Sequence, residues 1–140
     1  MKPIVIDASA VAPWVLPDEA TPVSEQLYAD VMTSSRQFFA PHLWLWETSN
    51  ILLSAFKRRR VTQDELDAGL ALIDACPVEF DAPPNLHYRA QTLRLAQAHS
   101  LSFYDASYLQ LALRLNGQLV SLDRALVTAA KACGIPCLDL

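Results

Sequence analysis

The sequence predicts an α/β sandwich built around a parallel sheet. Two observations carry this expectation. Short β-branched or aromatic runs alternate with longer segments of helical periodicity, and helix-capping signals punctuate the switches between them. A third observation bounds the size of the fold. Of 140 residues, 52% are hydrophobic and only 19% charged, enough apolar surface to bury a core and too little charge for disorder. Residues 1–140 read as one domain, with no linker, internal repeat or low-complexity stretch.

Residues 2–6, with Ile4-Val5-Ile6 at their heart, form the first expected strand. Residues 8–16 follow as a short helix or turn, because Pro13 is tolerated only in a first turn or at a kink. Val23, Leu27, Ala29 and Val31 mark an amphipathic helix over residues 19–32. Residues 37–40 are a second short strand, closed by Pro41, and the Leu-, Ile- and Phe-rich residues 44–59 form a helix. Thr62 and Glu65 then have the spacing of a capping box, and the helix they open runs to about residue 75. Residues 78–80 are the third strand, after which Pro83-Pro84 restart the chain into a helix reaching residue 99. Ser102 and Asp105 repeat the capping spacing ahead of an apolar helix over residues 106–115, and Asn116-Gly117 end it with a left-handed cap. Residues 119–122 are the fourth strand. A helix from Asp123 or Arg124 to residue 132 is stopped by Gly134, and residues 136–140 complete the sheet as a fifth strand.

No apolar run reaches the roughly 18–20 residues that span a bilayer. Ile4-Val5-Ile6 stops at Asp7, too short for the apolar core of a secretion signal. A cytoplasmic protein without a membrane partner is the expectation. Cys76, Cys133 and Cys137 are an odd count and share no zinc-ligand spacing with His42, His87 or His99, so they read as reduced, buried thiols. Net charge is −4 and the sequence pI about 5.2. That balance opposes an unaided grip on a nucleic-acid backbone, which needs clustered cations. It leaves catalysis on nucleic acid open, because acidic metal ligands would themselves make the balance negative.

Glycine occurs only at positions 69, 117 and 134, and the turn after the first strand reads Asp7-Ala8-Ser9-Ala10. A dinucleotide fold needs glycines there so that backbone can approach a pyrophosphate. A P-loop is excluded too, since no Gly-Lys-Ser/Thr occurs. Carboxylates, rather than bare amides, meet whatever binds at that edge. Asp7 and Asp123 each follow a strand and precede a helix, so each is either an N-cap or a ligand. Asp105 opens a helix, where its charge suits the macrodipole whether or not it binds anything. Glu47 lies inside an apolar helical segment, either on a narrow polar face shared with Asn50 and Ser54 or partly buried against a partner. Ligands of parallel sheets bind beyond the carboxyl ends of the strands, where strand order reverses. If all four acids converge there, their repulsion calls for a divalent cation, and oxygen-only ligands favour Mg²⁺ or Mn²⁺.

Four segments carry a resemblance. They are Ile4-Val5-Ile6-Asp7-Ala8-Ser9, the stretch from Pro41 through Glu47 to Asn50, Tyr104-Asp105-Ala106-Ser107-Tyr108-Leu109, and Leu119 to Asp123 with Ser121 between. In that order and spacing the sequence resembles PIN domains, and most closely the VapC toxins of toxin–antitoxin pairs. The resemblance implies a three-layer sandwich with a parallel five-stranded sheet flanked by helices. It also implies a homodimer, Mg²⁺- or Mn²⁺-dependent endoribonuclease activity on an RNA substrate, and inhibition by a VapB-type antitoxin. Carried over by position, Asp7, Glu47, Asp105 and Asp123 match the acidic catalytic and metal site, with Ser9, Asn50 and Ser121 as supporting polar residues.

The run Lys57-Arg58-Arg59-Arg60 closes a helix, where cations suit the dipole, or else contacts RNA or an antitoxin. Trp44, Trp46 and Phe56 read as core or dimer interface rather than a base-stacking platform. Two rival classes gather similar residues. A receiver-like domain needs an acidic pair after the first strand and a lysine after a later one, which this chain lacks. An inactive PIN scaffold that binds Mg²⁺ and partners without cutting RNA differs from an enzyme only by assay.

Overall fold

A computed structural model describes residues 2–140. Strand β1 (Ile4–Ile6) is followed by a 3-10 turn, Ala8–Val11, and helix α1 (Ala12–Val15), which carries Pro13 in its first turn. The tolerance expected of that proline is met by a short helix rather than a kink. A second 3-10 turn, Pro17–Glu19, precedes α2 (Pro22–Met32). The helix expected from residue 19 therefore starts later. Thr21 caps it, accepting from Ser24 N–H while the Ser24 hydroxyl accepts from Thr21 N–H, and Pro22 occupies the first turn.

Strand β2 (Phe38–Pro41), α3 (Leu43–Lys57), α4 (Gln63–Asp74), β3 (Glu79–Asp81), α5 (Leu86–His99), α6 (Phe103–Leu115), β4 (Gln118–Val120) and α7 (Arg124–Ala132) complete the order. Thr62 and Glu65 form the expected reciprocal box at the start of α4. At α6 only half of the expected box exists. Ser102 accepts from Asp105 N–H, and no hydrogen bond from the Asp105 carboxylate is formed among the described residues, which leaves that side chain available. The left-handed residue after α6 is Asn116, at φ 50°. Gly117 serves a different need: a Cβ there would meet the Pro3 carbonyl oxygen at 2.6 Å, where backbone crosses to start β4 beside β1.

The sheet is parallel throughout, in the order β3-β2-β1-β4. It has four strands instead of five. The segment after α7 runs alongside β4, but only as a single bridge, Leu119 to Cys137, held by Leu119 N–H on Pro136 O and Leu138 N–H on Leu119 O. Pro136 lacks an N–H, which limits how far that pairing can extend.

Ile4, Val5 and Ile6 are all fully buried, which requires cover on both faces of β1. The helices supply it in two groups, α5 to α7 and α1 to α4, with α6 packed on β1, β2 and β4, and α3 on β2. The thiols are free, and Cys76 is buried and pushed up to about 11 by that burial. Cys133 and Cys137 are only half-buried, against the expectation of buried thiols. Among the described residues no helix is long and apolar enough to cross a membrane.

Candidate metal centre

The chain fills the sheet from β1 outward through β2 and β3, then returns to the other side of β1 to lay down β4. Strand order thus reverses between β1 and β4, and their carboxyl ends open one crevice. Asp7 follows β1 directly, its N–H donating to Val120 O to extend the ladder by one residue. Asp123 follows β4 as the N-cap of α7, where its Oδ1 accepts from the N–H groups of Ala125 and Leu126. Capping and ligation were read from sequence as alternatives, but capping occupies only Oδ1 and leaves Oδ2 open, so one does not exclude the other.

All four acids line a single pocket of about 440 Å³. Asp7 and Asp123 come from the sheet edge, Glu47 from the first turns of α3, and Asp105 from the first turn of α6. Ser9 and Asn50 line it as well. A larger hollow of about 580 Å³ lies between α5 and α6 against Tyr88, Leu95 and Leu113, but it contains no carboxylate. The four acids sit together in the smaller one.

Asp7 is nearly buried and is held by a pair of hydroxyls. Ser9 donates to its Oδ2 at 2.6 Å and Ser121 to the same oxygen at 2.7 Å. Each serine in turn accepts a backbone N–H from the segment after β4, Ser9 from Leu122 and Ser121 from Asp123. Ser121 thus fixes the Asp7 side chain and the Asp123 backbone together, a linkage that the sequence reading had left as an unspecified supporting role. Glu47 is half-buried, and its Oε1 accepts from the phenol of Tyr108 at 2.6 Å. Tyr108 itself is fully buried and was missed from sequence. Its place one helical turn after Asp105 looked like plain apolar packing.

The electrostatics register the crowding. Burial pushes the Asp7 carboxyl above its ordinary value, the two serine hydroxyls oppose this, and the charges of Asp105 and Asp123 add to it. Glu47 is pushed up by burial, against the Tyr108 hydrogen bond, and further by Asp7 and Asp105. Asp105 is raised by burial and by Asp123, with the Ser102 hydroxyl opposing. These groups repel one another, while neutral donors hold Asp7 and Glu47 in place. Among the described residues no three acidic, His or Cys side chains stand close enough to enclose an ion. The donor set nevertheless suits a hard cation. Every ligand atom is oxygen, and each carboxylate keeps at least one oxygen that accepts no hydrogen bond from the described residues.

The remaining candidates divide. Lys57, Arg58, Arg59 and Arg60 are exposed and line none of the acidic pocket. Lys57 lies ten residues beyond Glu47, about 15 Å along α3. Arg60 is engaged by Asp18 and Glu19 at 2.9 and 2.7 Å, whereas Lys57, Arg58 and Arg59 form no ion pair among the described residues. The tryptophan stripe also splits. Trp44 is fully buried, as expected of core, but Trp46 is 68% exposed and lines the acidic pocket.

Comparison with known proteins bears on this geometry. The PIN domain profile matches residues 4–132. Ribonuclease VapC3 of Pyrobaculum aerophilum is 28% identical over 137 residues, which are 95% of this chain and 98% of that protein. A crystal structure of a Pyrobaculum aerophilum protein superposes with a TM-score of 0.71 at 25% identity, covering 97% of this chain and 83% of the other. The sarcin-ricin-loop-cleaving toxin VapC20 of Mycobacterium tuberculosis superposes at 0.65 with 20% identity, covering 90% and 94%.

Proposed function

Since this chain belongs to the PIN-domain family, we propose that it is a metal-dependent endoribonuclease, the toxin of a VapBC-type toxin–antitoxin pair, contained in the single domain 1–140. One observation carries the reading: four carboxylates from four separate elements line one pocket at the β1/β4 crevice. Repulsion of that kind is unfavourable unless the site serves a cation. Similarity to a ribonuclease along nearly the whole chain adds support, and the receiver-like alternative gives way to family membership.

In this reading Asp7, Glu47, Asp105 and Asp123 would hold Mg²⁺ or Mn²⁺ through their free oxygens. Bound there, the cation would lower the pKa of the attacking water and offset charge on the scissile phosphate. The chain's own groups do the rest. Ser9 and Ser121 keep Asp7 in one orientation, and Tyr108 does the same for Glu47. Asn50 adds a neutral amide at the pocket wall. Lys57, Arg58 and Arg59, with Arg60 largely occupied, serve as RNA or antitoxin contacts. A homodimer, a VapB-type antitoxin partner and a cytoplasmic location complete the proposal.

The test is cleavage of labelled RNA by the purified protein. Activity should need Mg²⁺ or Mn²⁺, vanish in EDTA and return on adding either ion. Undiminished cleavage after exhaustive chelation would overturn the assignment. So would the absence of any cleavage by a protein that binds Mn²⁺ and folds, which would favour the inactive scaffold.

A further inference from the structure

The acidic pocket has no lysine or arginine in its wall, and the chain as a whole carries a net charge of −4. A polyanion entering there meets none of the usual phosphate contacts in the pocket wall. Attraction to bound metal acts only at the scissile phosphate. Lys57, Arg58 and Arg59 lie about 15 Å away along α3, so the nucleotides at the pocket mouth need a source of affinity that does not rely on positive charge.

Two large rings stand at that place. Trp46 is 68% exposed and Tyr104 is 60% exposed, and both line the pocket that holds the four carboxylates. Each immediately precedes one of those acids in its helix, Trp46 before Glu47 on α3 and Tyr104 before Asp105 on α6. Successive helical residues differ by about 100° around the axis, so a carboxylate facing into a cleft sets its predecessor on the rim. An exposed apolar residue alone carries little meaning. Two aromatic rings on different helices, converging on one acidic cleft, are a more specific arrangement. The core already takes Trp44 and Tyr108 in full, so these rings are not displaced core.

We propose that Trp46 and Tyr104 are base-stacking residues that hold unpaired nucleobases at the mouth of the acidic pocket. The inference rests on the ribonuclease reading above. Stacking is indifferent to base identity and to charge, since every base has a π-face. It demands that bases be splayed out, which a regular duplex does not offer.

The experiment measures binding of a fluorophore-labelled, mixed-sequence single-stranded DNA of about 12 nucleotides, a slowly cleaved stand-in for RNA, by anisotropy in Mg²⁺. Trp46→Ala and Tyr104→Ala should each raise Kd about tenfold or more, and Trp46→Phe should recover most of the loss. The same sequence as a duplex should bind weakly and be insensitive to either substitution. In wild type the oligonucleotide should quench tryptophan fluorescence, and in Trp46→Phe, which retains Trp14 and Trp44, that quenching should disappear. Wild-type Kd in both alanine variants, or equal affinity for duplex, would overturn the proposal. So would a change in oligomeric state by sedimentation with Kd unaltered, which would make the rings a protein interface. RNA cleavage by wild type, run in parallel, separates the two levels: cleavage with no stacking signature removes only this proposal, whereas no binding and no cleavage removes the ribonuclease reading with it.

Discussion

Asp105→Asn is expected to abolish RNA cleavage and yet to melt higher than wild type in EDTA. Asparagine keeps the shape, the backbone hydrogen bond from position 105 N–H to Ser102 and an amide oxygen that can still accept from the Ser102 hydroxyl. What it removes is one charge among four. Two like charges about 6 Å apart at an effective dielectric near 20 repel by roughly 3 kcal/mol. Asp105 is partly exposed, and screening leaves about 1 kcal/mol, or about 3 °C in a chain of this size. Added Mg²⁺ should raise the wild-type midpoint through binding to the folded state and raise that of the variant less.

The pH dependence has a definite sign. Asp7, Glu47 and Asp105 are all held above their ordinary values, so the folded state keeps their protons to higher pH than the unfolded chain does. Their contribution to stability is complete below the ordinary carboxyl range and is lost as pH rises through the raised values. The gap between variant and wild type in EDTA should therefore be widest near neutrality and close toward about pH 4. Scanning calorimetry across that range checks it. A variant no more stable than wild type at neutral pH, with an unchanged Mg²⁺ response, would make Asp105 a helix-end charge only.

Tyr108→Phe is the second large effect. The ring is fully buried and phenylalanine fills its place, but Glu47 Oε1 loses the donor that holds it at 2.6 Å. Tyr108 is a positioning residue, since it acts through Glu47. Substitutions of groups that orient a metal ligand typically cost about 10- to 100-fold in affinity or activity. Cleavage at limiting Mg²⁺ should fall by that order and recover substantially at high Mg²⁺, with the Mg²⁺ midpoint displaced upward. The hydrogen bond opposes the upward push on Glu47, so the acid limb of the rate profile should also move to higher pH. Loss of activity without a change in Mg²⁺ midpoint would reduce Tyr108 to packing.

The parts of this fold that were legible in the sequence were those written in local chemistry. Thr62 and Glu65 spell out a cap, Ile4-Val5-Ile6 a strand buried on both faces, and Asp7 the end of that strand. The fifth strand was over-read because residues 136–140 carry an apolar pattern, while pairing depends on a neighbour's register and on an N–H that Pro136 does not have. The start of α2 was misplaced because Thr21-Pro22 outweighs the apolar pattern that runs on from Glu19. Within the candidate site, the convergence of the acids was legible because strand ends place Asp7 and Asp123 at one sheet edge and Glu47 interrupts an apolar helix. Their supports were not. The bond from Tyr108 to Glu47 spans 61 residues and that from Ser121 to Asp7 spans 114, so neither leaves a local trace. Trp46, read as core or dimer interface, is not core, because periodicity cannot say which side of a mostly apolar helix meets solvent.

Direct binding of Mn²⁺, read from the loss of the free-ion signal in electron paramagnetic resonance, tests the convergence of the four acids without reliance on any substrate. Wild type should bind saturably, Mg²⁺ should compete, and Asp7→Asn, Glu47→Gln, Asp105→Asn and Asp123→Asn should each weaken binding about tenfold or more. Equal Mn²⁺ affinity in wild type and in a variant carrying all four substitutions would mean that these carboxylates hold no metal.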